Sequence, residues 1–438
     1  MIANREALAA TPARDAALAC IEAGIEAAHP RTVVREQVVL DGEALRIGNE
    51  KYDLSVYDEV VVIGGGKAAA QVAVALESVL GDRIARGAVV TNDPEETTTV
   101  DVLPGDHPVP SKEGVESTRR VRRLADSADE ETLVFAVVTG GASALLPAPA
   151  DGISLADLQG ATRDLLDAGA NIDEINAVRK HCSALKGGQL ARAAAPATVV
   201  GLLFSDVVGD DPGVIGSGPT APDGTSFEDA LAVLDRYGVE SAVRDRLERG
   251  ASGELSETPD EDDHVFDRVT NHVLANGFTA LDAAREVADE RGYEAMILSS
   301  RVRGEARESA ATHVAVAEEV RETGNPLVPP AILLSGGETT VAVRGAGEGG
   351  PNLEFALGSL LELDAGITVA SVDTDGRDGS TDAAGALVDD ETAVEGGEEA
   401  LRENDAHPFL DSVGALVETG PTGTNVNDLR VLVVERRD

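Results

Sequence analysis

Lys67 closes the turn of VVVIGGGKAAAQVAVALE, where an apolar run is followed by three glycines and then a helical pattern. A cation beside a helix N-terminus makes an anion site. Lysine is otherwise scarce: of 36 Lys plus Arg only Lys51, Lys67, Lys112, Lys180 and Lys186 are lysine, although it is normally among the commonest residues. The turn lacks the G-x-x-x-x-G-K-[ST] spacing of a Walker loop, which excludes that class of nucleotide site. Gly64, Gly66 and Ala69 match G-x-G-x-x-A, which admits a dinucleotide. Glycines that merely let a strand turn tightly into a helix read the same way, and both readings stay open.

Further polar turns carry the rest of the inventory. Thr139, Gly140, Gly141, Ala142 and Ser143 offer small side chains and backbone N–H groups to a phosphate, or simply pack. In NAVRKHCSALKGGQLA, Asn176, Arg179, Lys180 and Lys186 are read on one short helical stretch ending at Gly187 and Gly188. Residues 176 and 180 then share a face, as do 179 and 186, directing one or two cations into a cleft. FSDVVGDDPGVIGSGPTAPD places Ser205, Asp206, Asp210 and Asp211 just after an apolar run, where a carboxylate suits a general base or a Mg²⁺ ligand. In VDTDGRDGSTDAAG, Asp373, Asp375 and Asp378 are spaced like a calcium loop, but Arg377 stands where an EF-hand needs an oxygen. A Mg²⁺-nucleotide loop remains open there. His107, in the proline-fixed PGDHPVPS, reads first as a structural loop histidine.

These residues need elements to hold them. After a hairpin at Asp41-Gly42, the chain repeats an apolar β-branched run, a glycine-bearing turn and a helical pattern, the rhythm of an α/β protein with a largely parallel sheet. Five such turns, in VVVIGGGK, LVFAVVTGGASALL, TVVGLLFSDVVGDDPG, AILLSGGETT and ITVASVDTDGRDGS, fall where open sheets gather ligands. RDRLERGASGELSETPDEDDH reads as a linker near residues 250–264. It separates an expected domain 1–255 from a second, 265–438. Beyond it ANGFTALDAAREVADERG and EARESAATHVAVAEEVRETG read as helices around the strand YEAMILSS, and DLRVLVVER as a short closing strand. The N-terminal segment reads as an amphipathic helix started by Thr11 and Pro12.

The net charge is −43, from 79 Asp plus Glu against 36 Lys plus Arg, with 42% hydrophobic residues. That is a globular chain whose surface suits molar salt, where the Debye length is about 3 Å and local cations govern anion binding. No basic leader or long apolar run is present, so a cytoplasmic protein with neither membrane nor nucleic-acid partner is expected. Cys20 and Cys182 lack metal-ligand spacing and imply neither a disulfide framework nor a zinc site.

Taken in order, GGGKAA, GDHPVP, TGGASALL, INAVRKHCSALKGGQLA, SDVVGDDPGVIGSGPT, SGGETT, GGPNLEFAL, VDTDGRDG and GPTGTNVNDL resemble the class II glycerate kinase family, glycerate 2-kinases with a C-terminal MOFRL domain. The resemblance runs from about residue 60 to the C-terminal end. It implies two α/β domains: an N-terminal Rossmann-like domain with a largely parallel sheet and flanking helices, and a C-terminal MOFRL-type domain. It also implies an active site in the cleft between them and transfer of the ATP γ-phosphoryl group to D-glycerate with Mg²⁺, giving 2-phosphoglycerate. Carried over residue by residue, the family's essential lysine falls on Lys67 and its loop aspartate on Asp206 or Asp210. Gly65, Gly66, Gly140, Gly141, Ser143, Asn176, Arg179, Lys186, Ser335, Gly337, Glu338, Thr339, Asn352 and Asp375 are then assigned to substrate or nucleotide, and Asp206, Asp210 or Asp375 to the metal. Where many members have an arginine in a GGRNQE-like stretch, this chain has Pro351, which supplies neither a cation nor an N–H. Arg344, Arg377 or Arg179 takes over that charge, or metal and helix dipoles do. An NAD(P)-dependent hydroxypyruvate or tartronate reductase and a non-catalytic phosphosugar-sensing module are the alternative readings. The oligomeric state stays open, a homodimer included.

Overall fold

The computed structural model describes residues 1–437. The chain forms two compact units, Val33–Leu274 and a second made of Met1–Thr32 with the chain from Ala275 onward.

The Val33–Leu274 unit begins with three antiparallel strands, β1 (Val38–Asp41), β2 (Ala44–Ile47) and β3 (Glu50–Asp53). The first hairpin is the expected one, with Asp41 opposite Ala44 and Gly42 at a φ of 62°. The main sheet holds β4 (Glu59–Gly65), β5 (Ile84–Thr91), β6 (Val100–Pro104), β7 (Thr132–Val138), β8 (Thr198–Phe204) and β9 (Val269–Ala275), in the order β6-β5-β4-β7-β8-β9. Pairings β5–β6, β4–β5, β4–β7 and β7–β8 are all parallel. Every residue of β7 is buried, as the unbroken TLVFAVV run demands of a strand covered by helices on both faces. From β4 the chain winds outward to β6, then returns to β7 and winds the other way. The order reverses between β4 and β7, and their carboxyl ends form the crevice of such a sheet.

In the second unit β10 (Glu294–Val302), β11 (Ala331–Gly337), β12 (Ile367–Asp373), β13 (Gly385–Asp389), β14 (Leu416–Val417) and β15 (Asp428–Val434) form a sheet in the order β10-β11-β15-β12-β13-β14. Only β10–β11 is parallel; the other neighbours run antiparallel. The parallel rhythm read along the whole chain therefore holds for the first main sheet and not for this one. DLRVLVVER forms the expected last strand, and it lies inside the sheet. It is β15, buried throughout and inserted between β11 and β12.

The expected split at residues 255–265 is displaced at both ends. The helix Pro12–Ala28, capped by Thr11 Oγ1 accepting from the Arg14 N–H, packs Leu18, Ile21 and Ile25 with Leu281, Ile332, Leu334, Val431 and Val433 of the second unit. Gly24 permits this approach, because a Cβ there would lie 2.6 Å from the Leu429 side chain and 2.9 Å from the Ala280 carbonyl. The presumed linker is bonded down. Glu257 accepts from the Phe227 N–H at a helix start, Thr258 Oγ1 donates to Asp223, and the Pro259 carbonyl accepts from the Asp223 N–H. β9 then joins the first main sheet. Among the described residues no helix is long and apolar enough to cross a membrane.

Candidate active site

At the β4–β7 crevice the glycine turn spends its own donors. The N–H groups of Gly66, Lys67 and Ala68 go to the Val90 carbonyl at 3.0 Å, the Gly140 carbonyl at 2.8 Å and Thr139 Oγ1 at 3.1 Å. The Thr139 N–H returns to the Gly65 carbonyl. A phosphate needs such N–H groups free, so Gly65 and Gly66 lock two turns together instead of cradling an anion. Gly66 has to be glycine: its φ is 137° and a Cβ would fall 2.1 Å from Thr139 Oγ1. Of the two readings left open at this turn, the geometry matches tight packing.

What the locked turns present is side chains. Gly140 and Gly141 follow β7. A Cβ on Gly140 would lie 2.5 Å from Asp206 Oδ2, and one on Gly141, at a φ of 79°, would lie 3.2 Å from Lys67 Cγ and 3.0 Å from His107 Cδ2. Lys67, Asp206 and His107 thus converge on one diglycine from the ends of three different strands. Lack of water pushes the Asp206 carboxyl above its ordinary range; its own N–H, the Lys67 charge and the Gly141 N–H pull the other way. Desolvation wins, and a carboxylate so placed is a better base near neutrality than one in water. Asp210 lies in the loop after β8 at a φ of 59°, its N–H on the Val207 carbonyl. His107, read from sequence as structural, belongs to this cluster; its signal was a rare histidine in a rigid loop.

A second group adjoins the β7 turn. Ser143 Oγ and Ser217 Oγ are 2.8 Å apart, Ser217 Oγ donates to Asn176 Oδ1 at 3.3 Å, and Arg179 Nη1 reaches the same oxygen at 3.5 Å. The helix holding Asn176 and Arg179 ends at His181, not at the Gly187-Gly188 pair, so Lys186 sits in the following turn rather than on the helical face assigned to it. Its ammonium contacts the Leu146 carbonyl at 3.5 Å. Burial, then the Arg179 charge, lowers its pKa to about 7. Arg179 is also lowered by burial. Lys180 instead pairs with buried Asp223 at 3.2 Å and is structural. Ser217, fully buried at a φ of 62°, was seen in the sequence only as part of a turn.

In the second unit several of the residues assigned to ligands are bonded to other side chains of the same unit. Ser335 Oγ meets His313 Nε2 at 2.9 Å. The Thr339 N–H donates to Asp428, and Thr339 Oγ1 accepts from Arg430 at 2.7 Å. Arg430 is fully buried, pairs with Asp428 and lies over the Phe355 ring, 4.7 Å from its centre. Asn352 Nδ2 donates to Asp428 at 2.7 Å and to Asp378 at 3.2 Å, while Asn352 Oδ1 accepts from Ser371. Pro351 is the first residue of the helix Pro351–Glu362, where an absent N–H costs nothing. The next two N–H groups, of Asn352 and Leu353, are both accepted by Asp378. Burial raises Asp378 to about 7 against those bonds, and raises Asp373, with Asp375 and Asp428 adding to it.

Asp378 therefore clasps a helix start, which takes it out of any calcium-like loop. Among the described residues no group of three His, Cys, Asp or Glu is placed to hold a metal. Asp375 accepts from the Arg377 N–H and Glu338 is exposed, its N–H on the Val302 carbonyl. Gly337 packs so closely that a Cβ would lie 2.2 Å from that carbonyl. Of the cations offered in place of the family arginine, Arg344 and Arg377 are exposed.

Known families match most of the chain. Residues 16–250 match a domain of unknown function, DUF4147, and residues 331–428 match the MOFRL family. The D-glycerate 2-kinase of Thermotoga maritima is 39% identical over 94% of this chain and 96% of its own length. The glycerate 2-kinase of Pyrococcus horikoshii is 37% identical over 96% of this chain and 97% of its own. The crystal structure of a glycerate kinase from Thermotoga maritima superposes with a TM-score of 0.85 at 38% identity, covering 96% of this chain and 98% of that one. The chain belongs to the family that joins a DUF4147 domain to a MOFRL domain and includes these glycerate 2-kinases.

Proposed function

We propose that this chain is an ATP-dependent kinase that phosphorylates the 2-hydroxyl of D-glycerate, giving 2-phosphoglycerate. The observation that carries the reading is the convergence of Lys67 and a desolvated Asp206 on Gly140-Gly141, in a chain close to proteins named for that activity. Phosphoryl transfer asks a protein for position and charge neutralisation more than for covalent help. Asp206 takes the proton of the 2-hydroxyl as its oxygen bonds to the γ-phosphorus, and the bond from that phosphorus to the ADP oxygen breaks. Lys67 neutralises charge on the oxygens around the reacting centre. Arg179 and Lys186, half-starved of water, are placed for a further anionic group.

A magnesium ion entering with the triphosphate needs only one or two carboxylates from the protein. Asp210, in the loop after β8, would fit that demand, with Asp206 kept as the base. Such an ion would spread the charge of the transferring group.

Lys67→Ala decides the reading. If Lys67 acts mainly in the transition state, kcat and kcat/KM fall together by about 100-fold or more, with an unchanged circular dichroism spectrum. Full kcat in the folded variant would refute the assignment. Incubating wild type with glycerate and either Mg-ATP or NAD separates kinase from reductase, and the spent N–H groups of the glycine turn argue for the first. Ligand-induced stabilisation with no product would leave only a sensing module.

A further inference from the structure

We propose that His107 binds the substrate carboxylate, and that with Lys67 and Asp206 it restricts the acceptor to 2-hydroxy acids. The inference rests on the kinase reading above.

His107 follows β6, at the far edge of the sheet, yet its ring stands against the turn of β7, with the ends of β5 and β4 in between. The loop is built as a strut across that span. The Gly105 N–H is bonded to the Thr91 carbonyl at the end of β5, and Thr91 Oγ1 to the Lys67 carbonyl at 2.9 Å. At the far side the Pro110 carbonyl accepts from Gln159 Nε2 at 2.7 Å, and Ser111 caps the helix Lys112–Asp126. Pro108 and Pro110 restrict the backbone on either side of Val109. Gly105 lets the loop leave at close quarters, since a Cβ there would be 2.7 Å from the Val90 side chain.

The strut delivers the imidazole to the same glycine that the Lys67 stem crosses. His107 keeps part of its surface exposed, so the ring is not there to fill a core. A 2-hydroxy acid carries a carboxylate and a hydroxyl on adjacent carbons. A donor, His107, and a base, Asp206, on the same diglycine match that pair of groups, while Lys67 serves the reacting oxygens. An alcohol or an amide of the same shape leaves the imidazole without a charge to meet, and an unmet site rejects its ligand.

The experiment compares wild type, His107→Ala and His107→Gln with D-glycerate and with its amide, which keeps the 2-hydroxyl and loses the charge. His107→Ala should raise KM for glycerate about 10–100-fold, the worth of one charge-assisted hydrogen bond, and leave KM for ATP unchanged. It should also erode the preference for glycerate over the amide by a similar factor. His107→Gln, which restores an N–H donor, should recover part of both. A variant that loses glycerate and amide turnover equally, or matches wild type on both, overturns the assignment to the carboxylate. If wild type transfers no phosphoryl group to glycerate at all, the kinase reading fails and this inference with it; wild-type turnover beside an unaffected His107→Ala sinks His107 alone.

Discussion

Burial moves Lys186 and Asp206 in opposite directions, the ammonium down and the carboxyl up. The pKa of Lys186 lies near 7 where a solvated lysine would be near 10.4. Its charge, and the anion affinity that goes with it, is present below about pH 7 and lost above. For wild type, KM for the anionic ligand facing Lys186 should therefore climb from pH 7 to 9. Lys186→Arg, which stays protonated, should flatten that climb; parallel pH profiles for the two proteins would remove Lys186 from the site. Of the lysines, Lys67 was legible in the sequence because scarcity and a glycine turn coincided. Lys180 misled, since nothing along the chain announces that Asp223, 43 residues away, holds it.

Strands and helices were mostly legible, because the five apolar runs and the 3.6-residue stripes leave little choice. What the sequence hid is who binds whom. Glycine turns look alike whether their N–H groups face a phosphate or the neighbouring turn, and at Gly66 and Gly337 only the partner distances distinguish the two. The acidic stretch 250–264 has linker composition but is bonded at Glu257, Thr258 and Pro259, contacts that are long-range and leave no periodic trace. The helix Pro12–Ala28 was recognised, and its allegiance was not. Burying Leu18, Ile21 and Ile25 contributes roughly 5–9 kcal/mol at about 1.5–3 kcal/mol each, comparable with the stability of a whole domain. Deleting residues 1–32 should strip hydrogen-exchange protection from β11, β12 and β15 while β4 and β7 keep theirs. Equal protection in both sheets would show that the helix is dispensable.

On the scale of the molecule, a net charge of −43 repels itself, and screening relieves it as the Debye length falls from about 10 Å at 0.1 M salt to about 3 Å at 1 M. The melting temperature should rise by several degrees or more between 0.1 and 2 M KCl; a flat or falling trend would contradict a surface adapted to salt. The second sheet carries a different consequence. Strand β15 lies inside it, between β11 and β12, and a helix packed on that strand lies near the other end of the chain; Thr424 Oγ1 bonds to the Ala28 carbonyl across 396 residues. At about 5–20 residues per second on the ribosome, that helix waits on the order of 20–80 s for β15. Val33–Leu274 draws on one continuous stretch and is free to fold while synthesis proceeds, whereas in the second unit the helix Pro12–Ala28 meets Leu281 and β11 first and completes its packing only when β15 has emerged, an interval in which chaperones have the most to protect.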